Sequence, residues 1–370
     1  MDNPLLRIKE YGQSIWVDFL SRSVLNSGEL KRLMLGDGVC GVTSNPDIFE
    51  KAIMQNKDYD EQLHELVSQK ADKAAIYDAL TIEDIRRAAD LMRPVYDQTN
   101  HSDGYVSLEV NPHLAFKTEE TVSEARRLWK AVDKPNVMIK IPGLAEGIPA
   151  VRQLISEGIN INITLLFSLG KYKDVAEAYI AGLRDRIEKN LPIDNIASVA
   201  SFFLSRIDTL TDSKLQNTVK SGGALADIAY SLQGKTAIAS ARVAYKMYKD
   251  LFYSPAFRTI EEKGGHKQRL LWASTSTKNP AYSDVMYVEA LIGPETVNTL
   301  PLPTIEAYRD HGNPQSRLET GLDEAEQTIK SLEKAGINLD NITKQLEEEA
   351  VRKFIEPYDK LMKSLEEKLK

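Results

Sequence analysis

The feature that most restricts this chain is a regular alternation. Eight short runs rich in Val, Ile, Thr and aromatic residues recur along its 370 residues, separated by longer stretches with helical spacing. They are SIWVDFLS (14–21), GVCGVTSN (38–45), YVSLEV (105–110), NVMIKIP (136–142), INITLLFS (161–168), IASVASFFLS (196–205), RLLWASTS (269–276) and ETVNTLP (295–301). Several are apolar on both faces, as parallel strands covered on both sides are. Helix-like stretches lie between them, such as LGKYKDVAEAYIAGLRDRIEK (169–189) and TEETVSEARRLWKAVD (118–133). In the latter, Thr118 and Thr121 near acidic partners suggest a capping box. The class is α/β. Eight strands alternating with helices predict a (β/α)8 barrel, the TIM-barrel fold. A doubly wound open sheet gives a similar pattern, and counting does not separate the two.

The interval 46–104 carries repeated apolar positions at helical spacing, which predicts a helical insertion after the second strand. Beyond Pro303 the chain is strongly helical and charged, and those charges read as solvated faces with i,i+4 pairs. Glycine and proline are dispersed, with no linker between units. One domain over 1–370 is expected, with the barrel at about 8–311 and a helical C-terminal extension at about 318–370.

Composition narrows the partners. A hydrophobic fraction of 42% and a charged fraction of 27% suit a soluble globular chain. The net charge of −7 argues against nucleic acid, because phosphate-backbone binding needs a basic surface. A local cationic pocket for a small phosphorylated substrate stays compatible with it. The single cysteine, Cys40, excludes an internal disulfide framework and suits a reducing cytoplasm. Asp2, Arg7, Lys9, Glu10 and Asp18 leave the first twenty residues without a signal-peptide core. No apolar run approaches membrane-spanning length. A cytoplasmic location without a membrane partner is the expectation.

In a barrel enzyme the chemistry sits at the C-terminal ends of the strands. There the chain carries Asp18; Thr43, Ser44 and Asn45; Glu109 and Asn111; Lys140; Asn160, Asn162 and Thr164; Ser201 and Phe203 with Arg206 just beyond; and Ser274, Thr275, Ser276, Lys278 and Asn279. Any one of them alone reads as a helix cap or turn residue. Their recurrence on successive strands is what points to a common mouth. Lys140 is the outlier, a cation sharing a strand face with Met138 and Pro142 and flanked by Val137, Ile139 and Ile141. Burying an unpaired ammonium is expensive, so Lys140 is either solvated at an edge or held neutral for chemistry.

The five histidines, His64, His101, His113, His266 and His311, show no metal-ligand spacing, and no metal is expected. His113 reads as a loop residue. Cys40 inside the second run reads as core, leaving no Cys–His pair. GDGVCG has the wrong spacing for a phosphate or dinucleotide loop, and no cofactor is expected. What remains is the lysine. A lysine desolvated in a barrel interior gives up its proton more readily, and the neutral amine attacks a ketone. The iminium that results is an electron sink, and a neighbouring carboxylate moves the protons.

The segments WVDFLSR, GVTSNPDIF, SLEVNPHLA, VMIKIPG, GININITLLFS, SVASFFLSRID and WASTSTKN, in this order from about Ile8 to His311, resemble the transaldolase family, in its longer bacterial type. The resemblance implies a class I aldolase-type barrel of the non-oxidative pentose phosphate pathway. Such an enzyme passes a dihydroxyacetone unit from sedoheptulose 7-phosphate to glyceraldehyde 3-phosphate, giving erythrose 4-phosphate and fructose 6-phosphate. It implies Lys140 as the Schiff-base nucleophile and Asp18 as the acid/base of carbon–carbon cleavage. Glu109 and Thr164 match the pair that holds the water of carbinolamine formation and breakdown. Asn45 and Asn162 match amides that bind the dihydroxyacetone hydroxyls, and Ser201 and Phe203 match pocket residues. Arg206 matches a phosphate-binding arginine, and Lys278 aligns with a second phosphate position where many members have arginine. Phe202 stands where many have proline. Simple aldolase relatives tend to carry Gln and Tyr where this chain has Glu109 and Phe203, which favours transfer. A Schiff-base aldolase releasing free dihydroxyacetone is the alternative, as is a non-catalytic partner domain of a sugar-phosphate isomerase. A homodimer is left open.

Overall fold

The computed structural model describes residues 3–368. All eight expected strands form, as β1 Gln13–Val17, β2 Val39–Val42, β3 Tyr105–Glu109, β4 Val137–Pro142, β5 Ile161–Leu166, β6 Ser198–Phe203, β7 Arg269–Ala273 and β8 Thr296–Leu300. They are parallel and close into one barrel in sequence order. Closure is visible at β1, where Ile15 lies opposite Val39 on one side and Asn298 on the other. An open sheet would leave two edges unpaired, so this pairing decides the architecture that counting left open. Every residue of β3, β4, β5, β6 and β8 is buried, because helices cover the outside and side chains fill the inside. Gly41 is required where it stands: a Cβ there would come within 2.4 Å of the Trp16 ring.

Most strands are shorter than the sequence runs that predict them, for a local reason. The polar ends of the runs leave the sheet to start the next helix. Asn45 accepts a hydrogen bond from the Ile48 amide at the head of Pro46–Gln55, and Ser168 caps Leu169–Glu188 through the Lys171 amide. The expected capping box at Thr118–Val132 does not form. Lys117 is the cap residue and makes no side-chain bond, while the two threonine hydroxyls stitch loops together, Thr118 to the Glu146 carbonyl and Thr121 to that of Leu114. Tertiary partners there outcompete the local box.

The insertion after β2 forms the helices Pro46–Gln55, Asp60–Ser68 and Lys73–Gln98. The C-terminal extension forms Leu322–Lys334 and Leu339–Lys368; its last expected residues, Leu369 and Lys370, lie outside the described residues. The longer of these helices packs against Pro46–Gln55 and Lys73–Gln98 and crosses the C-terminal mouth of the barrel. Polar links pin it: Asn111 Nδ2 donates to Tyr358 Oη at 3.1 Å, His113 meets Asp359 at 2.7 Å, Lys360 reaches the buried Glu50 at 2.6 Å, and Lys73 meets Glu366 at 2.7 Å. His113 is thus exposed and engaged with this helix rather than with the mouth. Cys40, expected in the core, is only half-buried and borders a cavity at the opposite end of the barrel. Among the described residues no helix is long and apolar enough to cross a membrane.

Candidate active site

The strand register assembles the centre of the mouth. Glu109 on β3 lies opposite Lys140 on β4, and Lys140 lies opposite Asn162 on β5. Lys140 is 4% exposed, which excludes a solvated edge. Its Nζ lies 3.2 Å from Glu109 Oε2 and donates to the Ser44 carbonyl, also at 3.2 Å. Beyond that ion pair neither Glu109 carboxylate oxygen has a hydrogen bond of good geometry, although both are buried. Burial pushes the Glu109 carboxyl up to about 7 against the pull of Lys140.

Asp18, just past β1, is enclosed by the barrel yet borders the cavity. Burial raises its carboxyl above the ordinary range, opposed by the charge of Lys140 and a hydrogen bond from Thr43. That bond, Thr43 Oγ1 to Asp18 Oδ1, is 2.6 Å long, and Thr299 Oγ1 lies 2.8 Å from the same hydroxyl. Two threonines therefore orient Asp18. Thr164 is fully buried and its Oγ1 has no partner. It precedes Leu165, which holds φ +61° where the β5–β6 register shifts. A non-glycine residue in that region costs about 1–3 kcal/mol, and such strain gathers at working sites.

Asn162 and Ser201 are joined directly: Ser201 Oγ donates to Asn162 Oδ1 at 2.7 Å, and Asn162 Nδ2 donates to Ser107 Oγ at 3.0 Å. Asn162 is completely buried, while Ser201 borders the cavity. Asn45 spends its oxygen on the helix cap, and its amide nitrogen makes no hydrogen bond among the described residues. Asn45 is thus a helix cap that also borders the cavity.

At the outer end of the mouth, Phe203 packs on Phe167 with ring centres 5.3 Å apart, and the Arg206 guanidinium lies 5.6 Å from the Phe203 ring centre. Arg206 Nη1 is buried with no partner, and burial holds the guanidinium below its usual range against the pull of Asp47, Glu349 and Asp18. Lys278 stands at the exposed rim with its Nζ on Ser276 Oγ. Desolvation, then the charge of Arg206, holds its ammonium low. Two cations that repel one another at one end of a cavity are a receptor for an anion.

Lys140, Asp18, Thr43, Thr164, Asn45, Ser201, Phe203, Arg206 and Lys278 line a cavity of about 700 Å³, which Glu109 and Asn162 meet through Lys140 and Ser201. That volume suits a metabolite-sized ligand. The sequence missed part of the lining. Thr299 on β8, Lys51 on the insertion, and Lys353, Phe354, Glu356 and Pro357 on the C-terminal helix also border it. No local signal marks the last four, since nothing in an amphipathic helix says which surface it will cross. Among the described residues no three His, Cys, Asp or Glu side chains are grouped to hold a metal ion.

A buried lysine beside carboxyls held against ionisation, with an anion receptor at the rim, is equipped for imine chemistry on phosphorylated carbonyl compounds. Comparison with known proteins agrees. The family described as Transaldolase/Fructose-6-phosphate aldolase matches residues 15–365. The chain is 50% identical to Transaldolase 2 of a Nostoc species, with 100% of this chain and 98% of that protein aligned. It is 50% identical to a Transaldolase of Trichodesmium erythraeum over the same shares, and 44% identical to one of Thiobacillus denitrificans over 96% and 97%. The chain belongs to the transaldolase/fructose-6-phosphate aldolase family and is a transferase of transaldolase function acting on sugar phosphates.

Proposed function

We propose that the chain moves a dihydroxyacetone unit from sedoheptulose 7-phosphate to glyceraldehyde 3-phosphate, with Lys140 as nucleophile. The observation that carries this reading is the 3.2 Å approach of the buried Lys140 Nζ to Glu109, whose carboxyl burial pushes up to about 7. The Lys140 amine adds to the ketone carbon of the donor. Glu109 gives a proton to the departing oxygen, which leaves as water held by Glu109 and Thr164, and the iminium forms. Asp18 then takes the proton of the donor's C4 hydroxyl, the C3–C4 bond breaks, and erythrose 4-phosphate departs. Its bonding electrons pass to the iminium as an enamine. Glyceraldehyde 3-phosphate enters, and the steps run in reverse to fructose 6-phosphate. A carboxyl poised near neutrality can both give and take a proton, as this cycle requires of Glu109.

Asn45 holds the dihydroxyacetone hydroxyls, Asn162 acts on them through the Ser201 hydroxyl it positions, Phe203 shapes the wall, and Arg206 with Lys278 binds phosphate. Because the C-terminal helix borders the same cavity, we take 1–370 as one functional unit. The net charge of −7 supports an enzyme without nucleic-acid partners, and the single Cys40 suits a reducing cytoplasm. Every group assigned comes from one chain, so the chemistry needs no second copy; a homodimer is a matter for mass measurement in solution.

The test is borohydride trapping with fructose 6-phosphate, followed by intact mass and peptide mapping. A reduced adduct on Lys140 is expected. A folded protein that gives no adduct would overturn the reading and leave the mouth as an inherited scaffold.

A further inference from the structure

The C-terminal helix is not part of the barrel, yet it sets an aromatic ring beside the lysine. Phe354 is 6% exposed, borders the cavity, and its ring centre lies 5.6 Å from Lys140 Nζ. One helical turn on, Tyr358 stacks edge-on to Tyr77 with ring centres 5.3 Å apart and accepts the Asn111 hydrogen bond. With the His113–Asp359 and Lys360–Glu50 pairs, the turn that follows Phe354 is held against both the β3 loop and the insertion. The ring is therefore a fixed cover. The same cavity is bordered by Lys51 and Lys353, paired with Asp47 and Glu349, and by Arg206 and Lys278, which are left to draw a phosphorylated acceptor inward.

We infer that Phe354 is a specificity-determining residue that decides whether the carbon unit held on Lys140 goes to an aldehyde or to water. The inference rests on the Schiff-base reading above and deepens it. Once the aldose phosphate has left, the enamine has two fates. An acceptor aldehyde forms a new carbon–carbon bond with it. Alternatively, the enamine carbon takes a proton from water, a second water adds to the iminium carbon, and the carbon–nitrogen bond breaks. Dihydroxyacetone then leaves with that water's oxygen, and Lys140 returns as an amine. A phenyl ring carries no donor or acceptor with which to hold water, so placed over Lys140 it disfavours the second fate. The phosphate end stays accessible to the first.

The experiment measures the ratio of dihydroxyacetone released to units transferred, with fructose 6-phosphate as donor and erythrose 4-phosphate as acceptor. Phe354→Ala should raise this ratio by about tenfold, and Phe354→Leu, which keeps apolar bulk, by less than about threefold. Only molecules that react contribute, so partial unfolding cancels in the ratio. If the alanine variant does not fold, Phe354→Val decides on the same scale. An unchanged ratio in the smallest variant that folds overturns the inference while leaving the Schiff-base reading intact, provided borohydride still labels Lys140. Absence of that label in the unmodified protein overturns the underlying reading, and the inference with it.

Discussion

The two ends of the barrel hold cavities of similar size and opposite electrostatic character. The one at the N-terminal end is the larger, about 780 Å³ against about 700 Å³ at the mouth. Charges that border it are paired with one another. Asp103 pairs with Arg269 at 2.9 Å and accepts hydrogen bonds from Ser14 and Trp16. Glu295 pairs with Lys267 at 3.0 Å and accepts from Tyr248 and Tyr253. Burial pushes Glu295 up, but those partners outweigh it and hold its carboxyl below the ordinary range. The unpaired buried groups at that end are neutral, among them the amide oxygens of Gln13, Asn136 and Gln268. At the mouth the unsatisfied groups include Glu109, Thr164 and Arg206, and both carboxyls there are raised. Volume does not locate chemistry in this molecule. What sets the mouth apart is the buried lysine beside carboxyls raised by burial, with an unpaired guanidinium nitrogen nearby.

The widest separation between the ends should come from Lys140→Arg. Guanidinium stays protonated and cannot add to a ketone, so borohydride labelling should vanish and turnover fall by about 10⁴-fold or more. Lys267→Arg at the other end should leave turnover within about threefold. Wild-type activity in the Lys140 variant would dissolve the distinction. Next, Asp18→Ala should still trap the imine while carbon–carbon cleavage drops by about 10²–10⁴-fold. Steady-state turnover compared with trapping yield reads this directly, and normal turnover would remove Asp18 from its role.

Asp103→Asn tests the N-terminal end by stability. It strips Arg269 of its buried partner and should cost about 3–5 kcal/mol in denaturant unfolding, with the activity of the surviving folded fraction kept. Loss of activity at full stability would mean that this end takes part in the chemistry. The smallest effect is a pH dependence. Glu109 holds its proton more tightly folded than unfolded, so the associated stability is complete below about 4.5 and lost as pH rises through about 7. Glu109→Gln has no such proton to lose. Between pH 5 and pH 8 the wild type should therefore lose stability against the variant, by up to about 3 kcal/mol. Parallel unfolding curves across that range would show that Glu109 is an ordinary carboxylate.

Much of this site could be read along the chain because strand ends are short-range objects. Asp18, Thr164, Ser201 and Phe203 each sit one parity step from apolar neighbours, and the structure brings them together with Lys140 at one mouth. Asn45 shows the limit of such reading, since its cap and its place in the lining coexist on one side chain. Thr118 shows another: a local box was plausible until the Glu146 carbonyl came within 2.7 Å. Lys278, whose alignment crosses an irregular loop, is placed beside Arg206 only by the fold of that loop.

The sequence by itself determined the eight strands, their order, the two helical additions and the lysine that had to be explained. Periodicity and turn chemistry act over a few residues, so they are legible in a single chain. Only the tertiary structure decided that β1 meets β8, that Lys140 faces Glu109, and that Phe354, 214 positions after Lys140, closes over it. Those contacts join segments far apart in the chain, and nothing local to either partner encodes them.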